Sequence, residues 1–545
     1  MKRRDVLHIL TNSFIAYGIA PHLQSCKTQK QQYNGYITGA PHQRGHRLRD
    51  GTLPIPTSTE KTSIVIIGAG ISGLSAARRL YKEGVKDIIL LEVDTRTGGN
   101  SLGGNNAYAQ YPYGAHYLPI PDIENTDLLD FLEEHGIITH YENGIPAYKE
   151  TDMCYAPHER LFYKGKWHEG IANTVAKAAP ESYRQFMELM ARYADMKNSA
   201  GQYLFRLPIE TSYTEEVCQQ LDGHSFRDFL SSHSIDAPEV LWYADYCCRD
   251  DYGMGIEKVS AFAGIHYFTS RRPKALNCSE GTVLTWQEGN AHLVELLELG
   301  LQDIVRNNAL AYHVDIQADS VHVRVLDCVT NTASEIVADY CIISAPQFVT
   351  QRLLQNLQPQ RTQWMNKYHY APWVVVTLSL KASSLNILGE LHWDNVVYGS
   401  EGLGYISANN QTLQSLNERT VITWYKPLDN ESPADARRNA LNLTAQDLAE
   451  SMLRELENIH PEIVHNIEQV DAHIWGHGMI APVVGFYSLN NLVELQHSID
   501  KRIFFAHSDL SGISLFEEAF YHGNRAAREI IAVAHKHHAA SAVCD

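Results

Sequence analysis

Residues 63–67 read Ser-Ile-Val-Ile-Ile and lead directly into a glycine-rich segment at residues 68–73. A continuous β-branched run predicts a strand that is buried on both faces of a parallel sheet. Residues 74–81 then place apolar side chains at helical spacing, and residues 87–91 form a second apolar run that ends in Glu92. A strand, a glycine-rich turn, a helix and a second strand ending in an acid are typical of a dinucleotide-binding unit. The order predicts an α/β fold that contains a Rossmann-type domain.

Each glycine of this turn has its own physical role. Gly68 permits the tight turn, Gly70 lets the backbone approach a pyrophosphate, and Gly73 allows the helix to pack closely on the strand. Glu92 lies 19 residues after Gly73, where a carboxylate accepts hydrogen bonds from a ribose and repels a 2′-phosphate, which disfavours NADP. The predicted cofactor contacts of this unit are Gly68, Gly70, Ile71, Ser72, Gly73 and Glu92.

Composition narrows the classes of protein that the chain can belong to. It has 545 residues, 44% of them apolar, a mean hydropathy of -0.27 and no uninterrupted apolar run near the ~20 residues that span a bilayer, which argues against a multi-span membrane protein. Lys and Arg number 45 against 63 Asp and Glu, so the formal charge is -18 and nucleic acid is not expected as a partner. Histidine and cysteine spacing matches no metal motif, and we predict no metal site.

The N-terminus predicts export. Residues 2–7 resemble a twin-arginine signal and are followed by a weakly apolar stretch, and residues 23–26 resemble a lipoprotein cleavage box. Lipidation of Cys26 would tether the mature protein to a membrane, so we expect a periplasmic, membrane-anchored lipoprotein. The alternative is a tail that happens to hold two arginines. Residues 27–60 are polar and rich in Gly and Pro, which predicts a tether.

Two segments after the dinucleotide unit resemble the flavin amine oxidase superfamily. Residues 93–100 read Val-Asp-Thr-Arg-Thr-Gly-Gly-Asn, and members of that superfamily share an acid, an arginine and a Gly-Gly pair in this order. Residues 113–117 resemble the family segment that runs beside the isoalloxazine. The resemblance implies FAD as the cofactor. The contacts implied by these segments are Arg96, Gly98, Gly99, Gly114, Ala115 and His116.

The last eighth of the chain supports the same resemblance. Residues 502–506 predict a short buried strand, and residues 514–527 predict a helix on which Ala519, Gly523 and Ala527 form a stripe of small side chains. The resemblance implies that this helix directs its N-terminus at the flavin. His-Ser-Asp at residues 507–509 departs from the Gly-acid pair usual in the family. The contacts implied here and by the Ala-Pro segment at 345–346 are Ala345, Asp509, Ser514 and Leu515.

The resemblance covers about residues 61–535. It implies a discontinuous Rossmann-type FAD-binding domain that alternates along the chain with an α+β, amine oxidase-like substrate domain. The predicted segments are an export signal at 1–26, a tether at 27–60, FAD-binding parts at 61–125, 281–350 and 496–535, and substrate parts at 126–280 and 351–495.

The resemblance also implies where the substrate binds. Amine oxidases hold the substrate between two aromatic side chains, and residues 485–487 place one of them at Tyr487, while the second position falls on Leu515. Phe486 stands where monoamine oxidases carry a cysteine linked to the flavin, so the resemblance implies noncovalent FAD. Trp475 is a predicted pocket residue and His116 a predicted proton handler.

We predict an enzyme, a FAD-dependent oxidoreductase that oxidises a small-molecule, polyamine-like amine by hydride transfer to flavin N5. Carboxylates in the charged group at residues 245–252 are hypothesised to bind the cationic substrate. The strand at 373–380 has no match to the lysine that many family oxidases keep near N5. A desaturase-like or protoporphyrinogen oxidase-like enzyme with an apolar substrate therefore stays open, as does a flavin-binding protein without turnover. Substrate identity, electron acceptor and oligomeric state also stay open.

Overall fold

The structure is a computed structural model that describes residues 32–541, apart from 157, 211, 280, 356, 382–387, 391 and 412–418. The predicted twin-arginine and lipoprotein motifs at residues 2–7 and 23–26 lie outside the described residues. Within the described part of the chain, no helix is both long and apolar enough to span a membrane. The described residues from Asn34 onward form one compact unit.

The elements are numbered in chain order. The strands are β1 (Gly35–Gly39), β2 (Thr59–Ile67), β3 (Ile88–Leu91), β4 (Gly103–Asn105), β5 (Gln110–Pro112), β6 (Leu118–Pro119), β7 (Ile138–Glu142), β8 (Ile145–Tyr148), β9 (Glu159–Tyr163), β10 (Lys166–Glu169), β11 (Val283–Leu284), β12 (Val305–Arg306), β13 (Ala309–Gln317), β14 (Ser320–Asp327), β15 (Ala333–Ile343), β16 (Tyr370–Leu380), β17 (Asp394–Val397), β18 (Tyr405–Ser407), β19 (Thr420–Pro427), β20 (Ile467–Ile480) and β21 (Ile503–Phe505). The helices are α1 (His42–Gly45), α2 (Arg47–Asp50), α3 (Ile71–Lys82), α4 (Thr126–Glu134), α5 (Ile171–Ala178), α6 (Pro180–Ala194), α7 (Glu216–Asp222), α8 (Phe226–Ser232), α9 (Pro238–Tyr252), α10 (Ala261–Thr269), α11 (Ala291–Glu298), α12 (Gln347–Leu353), α13 (Pro359–Met365), α14 (Pro433–Ala440), α15 (Ala445–Leu456), α16 (Ile463–Asn466), α17 (Phe486–Leu489), α18 (Leu492–Gln496) and α19 (Phe516–Ser541).

The first large sheet has the strand order β12-β3-β2-β15-β14-β13, with β21 paired to β15. The strands β3, β2, β15 and β21 are parallel, and their apolar residues are buried on both faces as the β-branched runs predict. Strands β13, β14 and β15 pair antiparallel and extend one edge. This sheet draws on three stretches of the chain, and together with α3 it has the Rossmann-type arrangement predicted from the sequence.

The second large sheet has the order β1-β20-β16-β19-β18-β17-β9-β10. Its centre is antiparallel, and the side chains of β16 are buried along its whole length. Apolar residues of the helical portion from α5 to α10 and of this sheet belong to the same large hydrophobic core. The predicted α/β class is confirmed, while the exact domain boundaries stay predictions.

The prediction of a tether over residues 27–60 is wrong for residues 35–50, which form a strand and two short helices. Strand β1 pairs in parallel with β20, from Gly35 opposite Val470 to Gly39 opposite Ile474. Residues 42–50 then form α1 and α2. The sequence of this segment shows no apolar face from which regular structure could be predicted. Backbone pairing at a sheet edge and a few arginine contacts hold the segment in place instead.

Candidate active site

The glycine-rich turn has the geometry that its sequence predicts. Gly68 has φ of 99°, in the region that glycine adopts without strain. A Cβ atom on Gly73 would lie 1.9 Å from the carbonyl oxygen of Gly68, so the close approach of α3 to the turn requires glycine. A Cβ atom on Gly70 would meet no protein atom closer than 3.9 Å, because that position faces a cavity. Gly73 therefore has a packing role, and Gly70 leaves room for a bound group.

The Gly-Gly pair runs beside this turn. Gly98 has φ of 122°, its N–H donates to the carbonyl of Ala69 at 2.8 Å, and it forms a β-bridge with Gly70. The exposed Arg96 donates from Nη1 to the carbonyl oxygen of Gly103 at 3.1 Å and lines the same cavity. Both glycines and the arginine thus stand next to the first turn, as the resemblance implies.

Glu92 is a buried acceptor at the end of β3. Its Oε2 accepts a hydrogen bond from the Ala69 N–H at 2.8 Å, and its Oε1 accepts one from the Asp94 N–H at 2.9 Å. Burial raises the pKa of this carboxyl, and the two backbone hydrogen bonds lower it in part. A carboxylate offers more than two acceptor positions, so Glu92 keeps capacity for a hydroxyl group in the cavity that it lines.

A cavity of about 520 Å³, here named the cofactor cavity, runs from this turn to the start of α19. Among the described residues no cysteine lines it, which is consistent with noncovalent FAD. Gly73 lies behind its wall, while Gly114 and His116 line a neighbouring space. The predicted cofactor contacts that line it are Gly68, Gly70, Ile71, Ser72, Glu92, Arg96, Gly98, Gly99, Ala115, Ala345, Asp509, Ser514 and Leu515.

Asp509 is a fixed acceptor on the wall of the cofactor cavity. It accepts hydrogen bonds from the Gln347 N–H at 2.9 Å and from the Tyr370 hydroxyl at 2.5 Å. Burial alone raises the pKa of this carboxyl, but His507 and the hydrogen bonds outweigh burial and lower the pKa below its ordinary value. Asp509 therefore presents a stable negative charge, in spite of the altered motif around it.

The stripe of small residues on α19 is a packing surface against α3. A Cβ atom on Gly523 would lie 2.2 Å from the carbonyl oxygen of Ser72. The two helices are thus in backbone contact, which holds the first turn of α3 beside α19. Residues 514–516, where α19 begins, line the cofactor cavity and the space next to it. The predicted close approach is confirmed at Gly523.

A smaller cavity of about 150 Å³, here named the inner chamber, adjoins the cofactor cavity. Both are lined by Trp475, Ser514 and Leu515. A third cavity of about 570 Å³, here named the outer chamber, shares His116 and Asp250 with the inner chamber. The inner chamber thus lies between the cofactor cavity and the outer chamber and shares lining residues with each.

Aromatic side chains form the walls of the inner chamber. Trp475 donates from Nε1 to the carbonyl oxygen of Tyr113 at 2.6 Å, which fixes its ring between two cavities. His116 stacks on Tyr425 with ring centroids 4.7 Å apart. Burial lowers the pKa of His116 to about 4, so this histidine is neutral near pH 7. His116 and Trp475 therefore line the inner chamber next to the cofactor cavity, and His116 is there without charge.

Tyr487 does not line the inner chamber, contrary to the prediction. It is 1% exposed, its ring lies 4.7 Å from that of Phe262 and 5.7 Å from that of Tyr213, and it lines none of the three cavities. The chain turns inward after β20, so the match at residues 485–487 falls in the core. Tyr425 of β19 lines both chambers instead, and no sequence signal distinguishes it from other strand tyrosines.

Buried and half-buried carboxyl groups line the two chambers. Asp250 lines both, and its Oδ2 accepts a hydrogen bond from the Tyr117 hydroxyl at 3.2 Å. Burial raises the pKa of Asp250 to about 6 and that of Asp251 to about 7. Arg271 lies 4.0 Å from Asp251 Oδ2 and 3.5 Å from Glu517 Oε1. The inner chamber thus holds three carboxyl groups around this arginine.

Two more acids face the outer chamber as direct neighbours. Strands β9 and β17 are parallel and in register, with Glu159 opposite Asp394. Like charges in directly opposed strand positions are destabilising. Burial, Glu159 and Asp250 together raise the pKa of Asp394 well above its ordinary value. The sequence offered no signal for this pair, because its members are separated by more than two hundred residues.

Some residues of the charged group at 245–252 make structural contacts, and others line the inner chamber. Asp245 accepts a hydrogen bond from the Ile256 N–H at 3.0 Å, and Arg249 pairs with Asp429 at 2.9 Å. Asp250 and Asp251 face the inner chamber.

Away from the cavities, Glu288, His292 and Glu295 place potential ligand atoms within 4.8 Å of one another, so the absence of a metal site stays a prediction.

The fold and the site define a nucleotide-dependent oxidoreductase, with a dinucleotide cavity that opens into a buried, acid-lined chamber. The sequence profile of the flavin-containing amine oxidoreductase family matches residues 71–531, and the chain belongs to that family. Its cofactor is accordingly FAD, and it is a FAD-dependent oxidoreductase. The cofactor cavity fits this group through the open space at Gly70, the free acceptor capacity of Glu92 and the start of α19.

Similar proteins include a tryptophan 2-monooxygenase of Allorhizobium ampelinum, 29% identical over 278 residues that cover 48% of this chain and 32% of that protein. Polyamine oxidase 7 of Oryza sativa subsp. japonica is 38% identical over 109 residues, 18% of this chain and 22% of that protein. The chain thus spans about a third or less of the length of these curated relatives.

Among solved structures, putrescine oxidase bound to putrescine is 17% identical, covers 87% of this chain and 100% of its own, and superposes with a TM-score of 0.66. Cyclohexylamine oxidase from Brevibacterium oxydans is 15% identical, covers 86% of this chain and 99% of its own, and has a TM-score of 0.63. These similarities show the fold.

Proposed function

We propose that the chain oxidises a small, polyamine-like amine, with FAD as the first electron acceptor. The observation that carries this proposal is the set of buried and half-buried carboxyl groups that line the two chambers next to the cofactor cavity. Glu159 and Asp394 are adjacent, Asp250 lines both chambers, and Asp251 Oδ2 is buried without a hydrogen-bond partner among the described residues. Buried carboxylates are costly unless a positive group compensates them, and an ammonium group supplies that compensation.

The side chains around the inner chamber suit a polar, positively charged guest. The Trp373 Nε1 and Tyr425 hydroxyl groups are buried without a hydrogen-bond partner in the described part of the chain. An unpaired buried donor or acceptor costs free energy that a bound amine and its waters recover. The aromatic faces of Trp475 and Tyr425 favour a cation near them.

In this proposal, residues of the chain itself bind and orient the amine and accept its proton. Glu159 and Asp394 attract the ammonium group into the outer chamber, and Asp250 receives it at the entrance to the inner chamber. Hydride loss requires the neutral amine, so a nearby base must hold the ammonium proton. Asp250, whose pKa is raised to about 6 and whose Oδ2 is oriented by Tyr117, takes that proton. FAD, when bound, supplies the acceptor for the hydride that leaves the carbon next to nitrogen. Water then hydrolyses the released imine.

An α-amino acid is the second candidate substrate. Arg271 lines both chambers, and its Nε is buried without a hydrogen-bond partner among the described residues. A guanidinium group binds a carboxylate well. Asp251 and Glu517 already surround this arginine, however, and they compete with a substrate carboxylate. The surplus of acids therefore favours an amine without a carboxylate.

An apolar substrate fits this site less well, and so does a flavin-binding role without turnover. A desaturase-like enzyme needs an apolar tunnel, whereas acids and unpaired polar groups line these chambers. A flavin-binding protein without turnover needs no path to the cofactor, whereas the inner chamber shares Trp475 and Leu515 with the cofactor cavity.

Anaerobic flavin spectra test the proposal. The purified holoprotein is mixed with putrescine, spermidine, benzylamine, tryptophan and a fatty acid in separate runs. We expect the diamine or triamine to bleach the oxidised flavin band, and reoxidation in air then separates an oxidase from a dehydrogenase. Bleaching by tryptophan alone would establish the second candidate, and bleaching by none of the amines would refute amine oxidation.

We also propose export by the twin-arginine route and attachment through lipidated Cys26. The support is the motif at residues 2–7 and the cleavage box at residues 23–26. Fractionation of cells that express the full chain, Arg3→Lys/Arg4→Lys or Cys26→Ser measures this. Membrane-bound wild type, cytoplasmic Arg variant and released Cys variant are the expected outcomes.

A further inference from the structure

Residues Gly35–Asp50, here named the strap, lie before the part of the chain that matches the family, which begins at residue 71. The strap starts as β1 on the edge of the second sheet, paired with β20. It continues into α1 and α2, and the cofactor cavity is lined by His42 of α1, Arg49 of α2 and His46 between the two helices. This chain thus adds a wall to its cofactor cavity from a segment outside the family match.

The strap is attached to both large sheets. Its β1 end belongs to the second sheet, and Arg44 Nη1 donates to the carbonyl oxygen of Val93, just after β3, at 2.8 Å. Arg47 Nη2 donates to Asn331 Oδ1 at 2.8 Å, between β14 and β15. Leu48 packs against the cluster that contains Leu310 of β13. These contacts bridge the two sheets along one side of the cavity.

Basic side chains collect where the strap meets α12. Arg49 of the strap and Arg352 of α12 both line the cofactor cavity. Burial and the positive charges of Arg49 and Arg352 all lower the pKa of His46. The Arg352 side chain makes no hydrogen bond or ion pair within 4 Å among the described residues, and its charge acts on Asp50 and His46. Arg49 pairs with the neighbouring Asp50, and such an exposed pair is weak.

Asp50 is a single carboxylate beside the two guanidinium groups, so a further anion suits the excess positive charge. FAD carries its negative charge on the diphosphate, and guanidinium groups bind phosphate oxygens through paired N–H donors. We propose that the strap is a cofactor clamp, in which Arg49, together with Arg352, binds the diphosphate of FAD from a wall other than the glycine-rich turn. His46 is neutral and adds a hydrogen-bond donor. The proposal depends on FAD binding and not on the nature of the substrate.

Cofactor affinity tests the clamp without using activity. Apoprotein of the full chain is titrated with FAD and, separately, with riboflavin, which has no diphosphate, and the quenching of flavin fluorescence is followed. The test variant is Arg49→Gln/Arg352→Gln. The matched control is Arg47→Gln, which removes a strap arginine that contacts Asn331 and does not line the cavity.

We expect the double variant to raise the Kd for FAD by about tenfold or more, since charged hydrogen bonds contribute roughly 1.5–3 kcal/mol and tenfold corresponds to about 1.4 kcal/mol. Its Kd for riboflavin should stay that of wild type, and added salt should shrink the difference for FAD. FAD affinity equal to that of Arg47→Gln would overturn the clamp. An equal loss of FAD and riboflavin affinity would overturn it as well, because it would show a general effect on the fold.

Discussion

At the scale of single residues, Asp250 connects attraction of the substrate with proton transfer. It lines both chambers, it accepts a hydrogen bond from Tyr117, and burial raises its pKa to about 6. The two chambers that it lines also hold other titratable groups, among them His116, Tyr117, Glu159, Tyr246, Cys247, Asp251, Tyr267, Arg271, Asp394, Tyr425 and Glu517. Its carboxylate form becomes dominant as the pH rises through about 6, so that is where amine oxidation should begin to increase.

Asp250→Asn removes this base and keeps the shape of the side chain. We expect kcat/KM for the amine to fall at least about a hundredfold at neutral pH, within the range for loss of an acid–base group. The rise of the rate around pH 6 should disappear, while the FAD content stays that of wild type. Stopped-flow flavin reduction across pH measures both effects.

Asp130→Asn, at an exposed position of α4, is the matched control and should behave as wild type. An Asp250→Asn profile that keeps the rise near pH 6 would show that another group accepts the proton.

At the scale of elements, the contact between α19 and α3 positions the cofactor. Gly523 lets the two helices touch, and α3 begins at the glycine-rich turn that lines the cofactor cavity. Interiors pack densely, so an added methyl group at such a contact forces the backbones apart. FAD binding should therefore depend on a residue that does not line the cavity.

Gly523→Ala should lower the free energy of unfolding by about 1–3 kcal/mol and weaken FAD binding. Thermal unfolding of the apoprotein and a fluorescence titration with FAD provide the readouts. Gly45→Ala is the same change at a position with no atom within 4 Å, and its apoprotein should unfold at or slightly above the wild-type temperature. Equal melting of the two variants would contradict the close helix contact.

At the scale of the whole molecule, the buried acids make stability depend on pH. Burial raises the folded-state pKa of Asp251 from 3.8 to about 7. The folded state therefore holds a proton that the unfolded state releases between about pH 4 and 7. The free energy of unfolding therefore falls as the pH rises from about 4 to about 7, because the folded state must keep the carboxyl protonated. Below about pH 4 Asp251 is protonated in both states and does not destabilise the fold.

Asp251→Asn tests this sign. The stability of the variant relative to wild type should rise by ~2–4 kcal/mol between about pH 4 and 7, because each pKa unit corresponds to about 1.4 kcal/mol. Denaturant unfolding of the apoproteins at several pH values measures the difference. Loss of the Arg271 contact shifts the variant at every pH, so only the slope is diagnostic, and a flat or falling difference would contradict the raised pKa.

Some features of this protein follow from its sequence because they depend on local backbone periodicity. The β-branched run before Gly68, the spacing to Glu92 and the stripe at Gly523 each correspond to the element found there. Such patterns reflect which faces are buried and where the backbone needs glycine. They were sufficient for the α/β class and the dinucleotide-binding turn, whereas the family and the other predicted contacts came from the resemblance of further segments. Thirteen of the sixteen predicted cofactor contacts line the cofactor cavity.

The tertiary structure alone decided which distant side chains meet. The register of β9 with β17 places Glu159 beside Asp394, and the chain path after β20 takes Tyr487 into the core instead of the substrate chamber. The strap became a cavity wall through edge pairing that its polar sequence did not indicate. Convergence of this kind depends on strand register and chain path over hundreds of residues, and local periodicity carries no record of either.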